Sequence, residues 1–161
     1  MNLLLDRVQN ATMVPSPLTL GAIAPILAPA GFKEATMKAM TIQQPWAWAV
    51  MSAGKDIENR SWPTKYRGPL LIHAGLAYRA ETEMPRGVRP PGKADLDFGA
   101  ILGVVDLVDV VQKSRSRWFE GEYGFVLRNP RVLARPVACK GQLKLWTPTP
   151  AHLRLVKARL R

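Results

Sequence analysis

Apolar and polar positions along the chain predict a series of short strands with one helix near the start and another at the end. The predicted strands cover 38–42, 70–74, 100–111, 123–127, 132–138 and the closing segment 143–146. A helix from Pro45 to about Ala53 is apolar on nearly all sides, which indicates burial. Ala151–Leu160 has the pattern of a basic amphipathic helix. Segments 55–62 and 79–97 are expected to be irregular, the second with at most one helical turn.

The strongest strand signal is the run from Ala100 to Val111, which is rich in β-branched residues and apolar on both faces. It is long for a flat strand, and Gly103 offers a place for it to bend. Many short strands around one early buried helix predict an α+β fold dominated by a small closed or half-closed β-barrel. A buried N-terminal helix and a C-terminal helix complete this prediction.

The first 36 residues differ from the rest because Pro15, Pro17, Pro25 and Pro29 interrupt an apolar stretch without a period. The prolines disfavour both a secretory signal and a membrane span. We expect a poorly ordered Pro/Ala-rich extension over 1–36, a domain over 37–147 and a basic helix over 148–161. Whether residues 1–36 belong to the native product stays open.

Composition predicts a globular protein, since 47% of the 161 residues are hydrophobic and 22% are charged. Cys139 is the single cysteine and only two histidines occur, so neither an internal disulfide nor a metal site is expected. We also expect no cofactor and a cytoplasmic location. The oligomeric state is left open.

The formal net charge of +11 falls outside the first 37 residues, where Asp6, Arg7, Lys33 and Glu34 cancel. Such an excess attracts polyanions, of which nucleic acid is the commonest in a cell. A merely solvated basic surface is the alternative. The charge therefore favours RNA as a partner without establishing it.

Three segments carry a specific resemblance. Ile42–Ala47, Lys55–Trp62 and Tyr66–Ala74 follow one another in an order that closely resembles the ASCH domain, whose signature is Gly-x-Lys-x-x-Glu-x-Arg. Lys55, Glu58 and Arg60 match its charged positions, whereas Ala53 stands where the family has glycine. The resemblance covers roughly residues 37–146.

The ASCH resemblance implies a PUA-like β-barrel with an RNA or nucleotide-like ligand in a cleft beside the signature. Some small members of the family hydrolyse acylated cytidines, and others have been assigned ribonuclease activity. The implied function is therefore a binding domain for RNA or a nucleoside-type small molecule. The alternative is a metal-independent amidohydrolase or ribonuclease.

Lys55 and Glu58 are the candidate catalytic pair if the protein is an enzyme, because a carboxylate beside a partly buried lysine can move protons. The same pair can bind a ligand, or form a structural salt bridge. Arg60 is a candidate for binding a phosphate or carboxylate, or a partner of a neighbouring acid.

The remaining candidates for ligand or RNA contact combine aromatic and polar side chains. Trp46 and Trp118 are candidates for stacking on bases. The set of expected binding residues is completed by Gln44, Glu122 and Tyr123.

Overall fold

The computed structural model describes residues 37–79 and 84–160, so the predicted extension over 1–36 lies outside the described residues. Its strands are β1 (Lys38–Gln44), β2 (Ile57–Arg60), β3 (Gly68–Tyr78), β4 (Ala100–Val111), β5 (Tyr123–Ala138) and β6 (Leu145–Trp146). Its helices are α1 (Trp46–Ser52) and α2 (Pro150–Arg159). Among its described residues, the loop before β4 contains the 3₁₀ turn Lys93–Asp95.

The six strands form one curled sheet in the order β2-β5-β4-β3-β1-β6. All neighbours are antiparallel except β1 and β3, which are parallel. At the edge of the sheet beyond β1, β6 pairs only with Ala39 and Met40. The guanidinium of Arg60 on β2 donates a hydrogen bond of 2.9 Å to the carbonyl of Thr41 on β1. This bond joins β2 to β1 across the open side of the half-barrel. The mostly antiparallel sheet with its two helices confirms the predicted α+β class.

Helices cover both faces of the sheet. On β3, Leu70 and Ile72 pack in one core with α1, whereas Leu71 points into the other core with α2. The helix α1 contributes Val50 to the first core, and α2 contributes Val156 to the second. Burial on both faces explains why the central strands are continuous apolar runs.

β4 bends where it was expected to bend. Its register with β5 shifts between Ile101 and Gly103, and its register with β3 shifts opposite the same point. A Cβ on Gly103 would lie 2.4 Å from the carbonyl oxygen of Arg131. The absence of a side chain therefore allows β5 to approach closely at the bend.

Two element predictions are wrong. Residues 57–60, expected to be irregular, form β2, because backbone pairing with β5 outweighs the polar composition of this segment. The two strands expected at 123–127 and 132–138 are one strand, β5, which continues through Asn129 with a positive φ of 50°. The Asn129 side chain donates to Asp106 on β4, so the expected turn is an irregularity within the ladder.

Within the described residues, none of the helices has the length and apolar character needed to cross a membrane.

Candidate functional site

A cleft of about 410 Å³ lies between α1, β2 and the segment that precedes β5. Its polar floor and aromatic wall are formed by Trp46, Lys55, Glu58, Asn59 and Trp118. Its remaining lining consists of Met84, Pro85, Arg117 and Glu120. We call this space the Lys55 cleft.

The turn after α1 places Lys55 in the cleft. Gly54 has a φ of +69°, a left-handed conformation that glycine adopts without strain. The chain reverses there, and the amide of Lys55 donates 3.0 Å to the carbonyl of Ala49 in α1. The lysine side chain is thereby directed toward Glu58 on β2.

The Lys55 side chain is held on several sides. It is only 3% exposed, and its Nζ lies 3.2 Å from Glu58 Oε2. The same Nζ donates to the carbonyl of Ile57. It also lies 5.5 Å from the ring centre of Trp46 and 5.6 Å from that of Trp118, two cation–π contacts. An ammonium so enclosed is a fixed positive charge at the base of the cleft.

Glu58 contacts two cations at once. While Oε2 faces Lys55, Oε1 lies 3.3 Å from Nη2 of Arg60. The carboxylate is 10% exposed, and Arg60 is 24% exposed. Glu58 therefore holds both cations of the signature in fixed positions.

Asn59 was missed by the sequence analysis, although it fixes one wall of the cleft. Its amide nitrogen donates 2.8 Å to the carbonyl of Trp118, and its Oδ1 accepts from the amide of Glu120 at 2.9 Å. These two bonds attach the segment before β5 to β2. The sequence carried no signal for this role, since alternation along a strand would place Asn59 on the face opposite Glu58.

The cleft is balanced in formal charge and aromatic on one side. Lys55 and Arg117 supply two positive charges, and Glu58 and Glu120 supply two negative ones. The guanidinium of Arg117 lies 5.4 Å from the ring centre of Trp118. In the described part of the chain, no group of three or more His, Cys, Asp or Glu side chains is arranged to hold a metal ion.

A family model for the ASCH domain matches residues 40–141, which include every residue of this cleft. The chain belongs to the ASCH domain family.

Two proteins of known name are similar to this chain. The chain is 27% identical over 124 residues to Activating signal cointegrator 1 of Homo sapiens and, to the same extent, of Mus musculus. The match covers 66% of this chain but only 21% of each relative, so the chain spans about a fifth of their length.

Solved structures show the fold. A mutant ASCH protein from Zymomonas mobilis superposes with a TM-score of 0.50 at 18% identity, over 78% of this chain and 99% of that one. A second mutant of the same protein gives 0.50 at 15% identity, over 81% and 100%. The half-barrel is thus the small PUA-like fold of ASCH proteins.

The departure from the ASCH signature at Ala53 leaves the turn intact. Ala53 has a φ of −118°, which any residue adopts, and the positive φ falls on Gly54. Lys55 and Arg60 accordingly both contact the carboxylate of Glu58.

The structure brings only some of the other expected binding residues to the cleft. Trp46 and Trp118 lie there, in edge-to-face contact at 6.3 Å between ring centres. Gln44 is buried and lies outside the lining, where its side chain accepts from the amide of Trp48 and so holds the start of α1. Glu122 is exposed and Tyr123 packs on the first core, and neither lines the cleft.

Proposed function

We propose that this ASCH domain binds single-stranded RNA by receiving an unpaired base in the Lys55 cleft. The observation that carries the proposal is the enclosed Lys55 ammonium, fixed between two tryptophan rings and one carboxylate at the base of a cleft. A volume of about 410 Å³ falls in the range of small-molecule sites.

The charge balance of the cleft supports a neutral ligand group inside it. The two cations and two carboxylates of the lining offset one another, so a polyphosphate gains little net attraction there. A nucleobase is uncharged at neutral pH, has an aromatic face for a tryptophan, and has hydrogen-bonding edges for charged side chains.

The charge of the domain supports contact with the RNA backbone outside the cleft. Residues 38–161 contain 21 Lys and Arg against 10 Asp and Glu. Several of these cations, among them Arg117 and Arg135, are exposed. This excess of positive charge attracts the phosphates of a backbone that leaves the cleft.

Fluorescence anisotropy with a labelled single-stranded RNA tests the proposal. We expect binding that weakens as salt rises, and a loss of roughly tenfold in Arg117→Gln, since that guanidinium lines the cleft. Arg89→Gln is the matched control, because Arg89 is exposed and lies outside the lining of the Lys55 cleft. Absence of binding at low salt, or equal losses in the two variants, would contradict the proposal.

A second candidate function is hydrolysis of an amide on a modified nucleoside, favoured by the buried Lys55–Glu58 pair at the base of the cleft. In that reaction Glu58 would take a proton from the attacking water, and Lys55 would stabilise the oxyanion. The proton then passes to the leaving amine, which departs from the new carboxylic acid. Cleavage of RNA itself by the same pair is the related case.

Contacts of Glu58 favour binding over hydrolysis. Both of its oxygens already face a cation, Lys55 or Arg60, which suits a positioning group better than a base free to reach water. Incubation with acylated nucleosides and total RNA decides the matter. Turnover that disappears in Lys55→Ala, in a variant with an unchanged circular dichroism spectrum, would establish the enzyme. For either function we propose a cytoplasmic location.

A further inference from the structure

We infer that the site holds two consecutive nucleotides, the second base lying in an adjoining pocket on the other side of Trp46 and Glu58. This inference rests on the proposed function. It assigns a ligand to a space of about 320 Å³ that is bounded by Arg60, Gln142, Leu143 and Lys144. We call this space the Arg60 pocket.

The two spaces share one wall. Trp46 and Glu58 line both the Lys55 cleft and the Arg60 pocket. The carboxylate of Glu58 turns Oε2 toward Lys55 and Oε1 toward Arg60. A single carboxylate thus separates the charged groups of the two spaces. Consecutive nucleotides of one RNA chain can therefore occupy them.

The far wall of the Arg60 pocket belongs to a segment that is attached to the core at its start. The carbonyl of Cys139 lies 3.0 Å from Nε2 of buried His73, and the amide of Cys139 donates 3.0 Å to the carbonyl of Gly99. Three residues further along, the exposed side chains of Gln142, Leu143 and Lys144 line the pocket.

The chemistry of the Arg60 pocket differs from that of the cleft. Its charged lining consists of Arg60, Lys144 and Glu58, which leaves an excess of one positive charge. Leu143 is 93% exposed at its edge and offers an apolar surface to the face of a base. A base with an adjacent phosphate fits the apolar surface of Leu143, the side-chain amide of Gln142 and the net positive charge of the lining.

A ligand of two units explains both volumes better than one large ligand does. Trp46 stands between the spaces with its ring half-buried, and a single rigid ring system would have to pass through it. Two bases joined by a flexible sugar–phosphate link can enter one on each side. Trp46 would then separate successive bases instead of stacking with only one.

A length series of oligoribonucleotides tests the inference with the full chain. Affinity is measured by isothermal titration for a 5′-phosphorylated mononucleotide, the corresponding dinucleotide, and a dinucleotide that lacks its second base. We expect the complete dinucleotide to bind roughly tenfold more tightly than the other two. Equal affinity of the complete and abasic dinucleotides would overturn the inference.

Two variants test whether the gain in affinity of the dinucleotide comes from the Arg60 pocket. Lys144→Gln should remove most of the dinucleotide gain while leaving the mononucleotide affinity unchanged, because Lys144 lines only the Arg60 pocket. Lys140→Gln is the matched control, since it removes the same charge from the same exposed segment outside the lining. A gain that survives in Lys144→Gln, or is lost equally in both variants, would overturn the inference.

The outcomes separate this inference from the proposed function. Mononucleotide binding that is lost in Arg117→Gln, without any gain for the dinucleotide, would retain the cleft as a base site and reject the second pocket. Failure of every oligonucleotide to bind at low salt would reject both.

Discussion

At the residue scale, the central feature is an asymmetric network of three charges. Glu58 faces two cations, whereas Lys55 has Glu58 as its ion-pair partner and is the more deeply buried of the two. Removing Glu58 leaves the Lys55 charge without an ion-pair partner, whereas removing Lys55 leaves Glu58 paired with Arg60. The network therefore makes a directional prediction about stability.

Glu58→Gln should destabilise the fold more than Lys55→Met does. The first change leaves the buried Lys55 ammonium without a counter-charge, at a cost of about 3 kcal/mol. The second leaves Glu58 paired with the partly exposed Arg60, and we expect about 1 kcal/mol. Urea unfolding of the two variants beside the parent protein measures both values. The reverse order would show that Lys55 is stabilised chiefly by the tryptophan rings.

His73 makes stability depend on pH in a defined direction. Burial lowers its pKa from the ordinary 6.5, an effect larger than the opposing one of its bond to the Cys139 carbonyl. The unfolded chain then binds more protons than the folded protein as pH falls through about 6.5, so stability falls with it. Between pH 7.5 and 5.5, His73→Gln should lose about 1 kcal/mol less than the parent protein in urea unfolding. An unchanged pH dependence would contradict this assignment.

The charged residues of the site could be found from sequence, but their arrangement could not. Spacing placed Lys55 near Glu58, and the family signature added Arg60. The two tryptophans that enclose Lys55 are 72 positions apart in the chain, and only the fold brings them to one ammonium. Gln44 was expected to bind a ligand, but its buried side chain lies outside the cleft and holds the start of α1.

At the element scale, the bend of β4 and the attachment of β2 to the following segment determine the shape of the site. Gly103 allows β4 to curve across β5, and Asn59 on β2 holds Trp118 against the cleft. The bend was predictable because a glycine interrupts a run of β-branched residues. β2 was not predictable. It lines a polar cleft and is therefore composed mostly of polar residues, whose pattern alone resembles a loop.

Gly103→Ala should destabilise the protein by about 2–3 kcal/mol. An added Cβ would lie 2.3 Å from the Met51 side chain and 2.4 Å from the Arg131 carbonyl, and the second contact is with backbone that cannot move aside. Gly92→Ala is the control, because the nearest atom there is the flexible carboxylate of Asp95 at 3.3 Å. Thermal unfolding compares them. Similar melting temperatures for both variants would mean that β5 moves away at little cost.

At the scale of the whole molecule, a strong excess of positive charge is combined with a cleft whose lining has no net charge. Two arginines of β5 already contact carboxylates: Arg131 contacts Asp106 at 2.6 Å and Arg128 contacts Asp56 at 3.6 Å. A count of charges from the sequence does not distinguish these arginines from others such as Arg135. Composition thus predicts the sign of the net charge but overstates how many positive charges are available to RNA.

Electrostatic and aromatic contributions to RNA binding should separate in their salt dependence. For a single strand, the logarithm of the binding constant falls with the logarithm of salt concentration by about 0.7 for each phosphate neutralised. Arg117→Gln should lower this slope by up to about 0.7 if the guanidinium reaches a phosphate, whereas Trp46→Leu should weaken binding by a constant factor at every salt concentration. The reason is that stacking on Trp46 releases no counterion. Anisotropy titrations from low to physiological salt measure both slopes. A slope change in Trp46→Leu equal to that in Arg117→Gln would mean that the tryptophan acts by positioning the cations around it, and would place the bound base elsewhere.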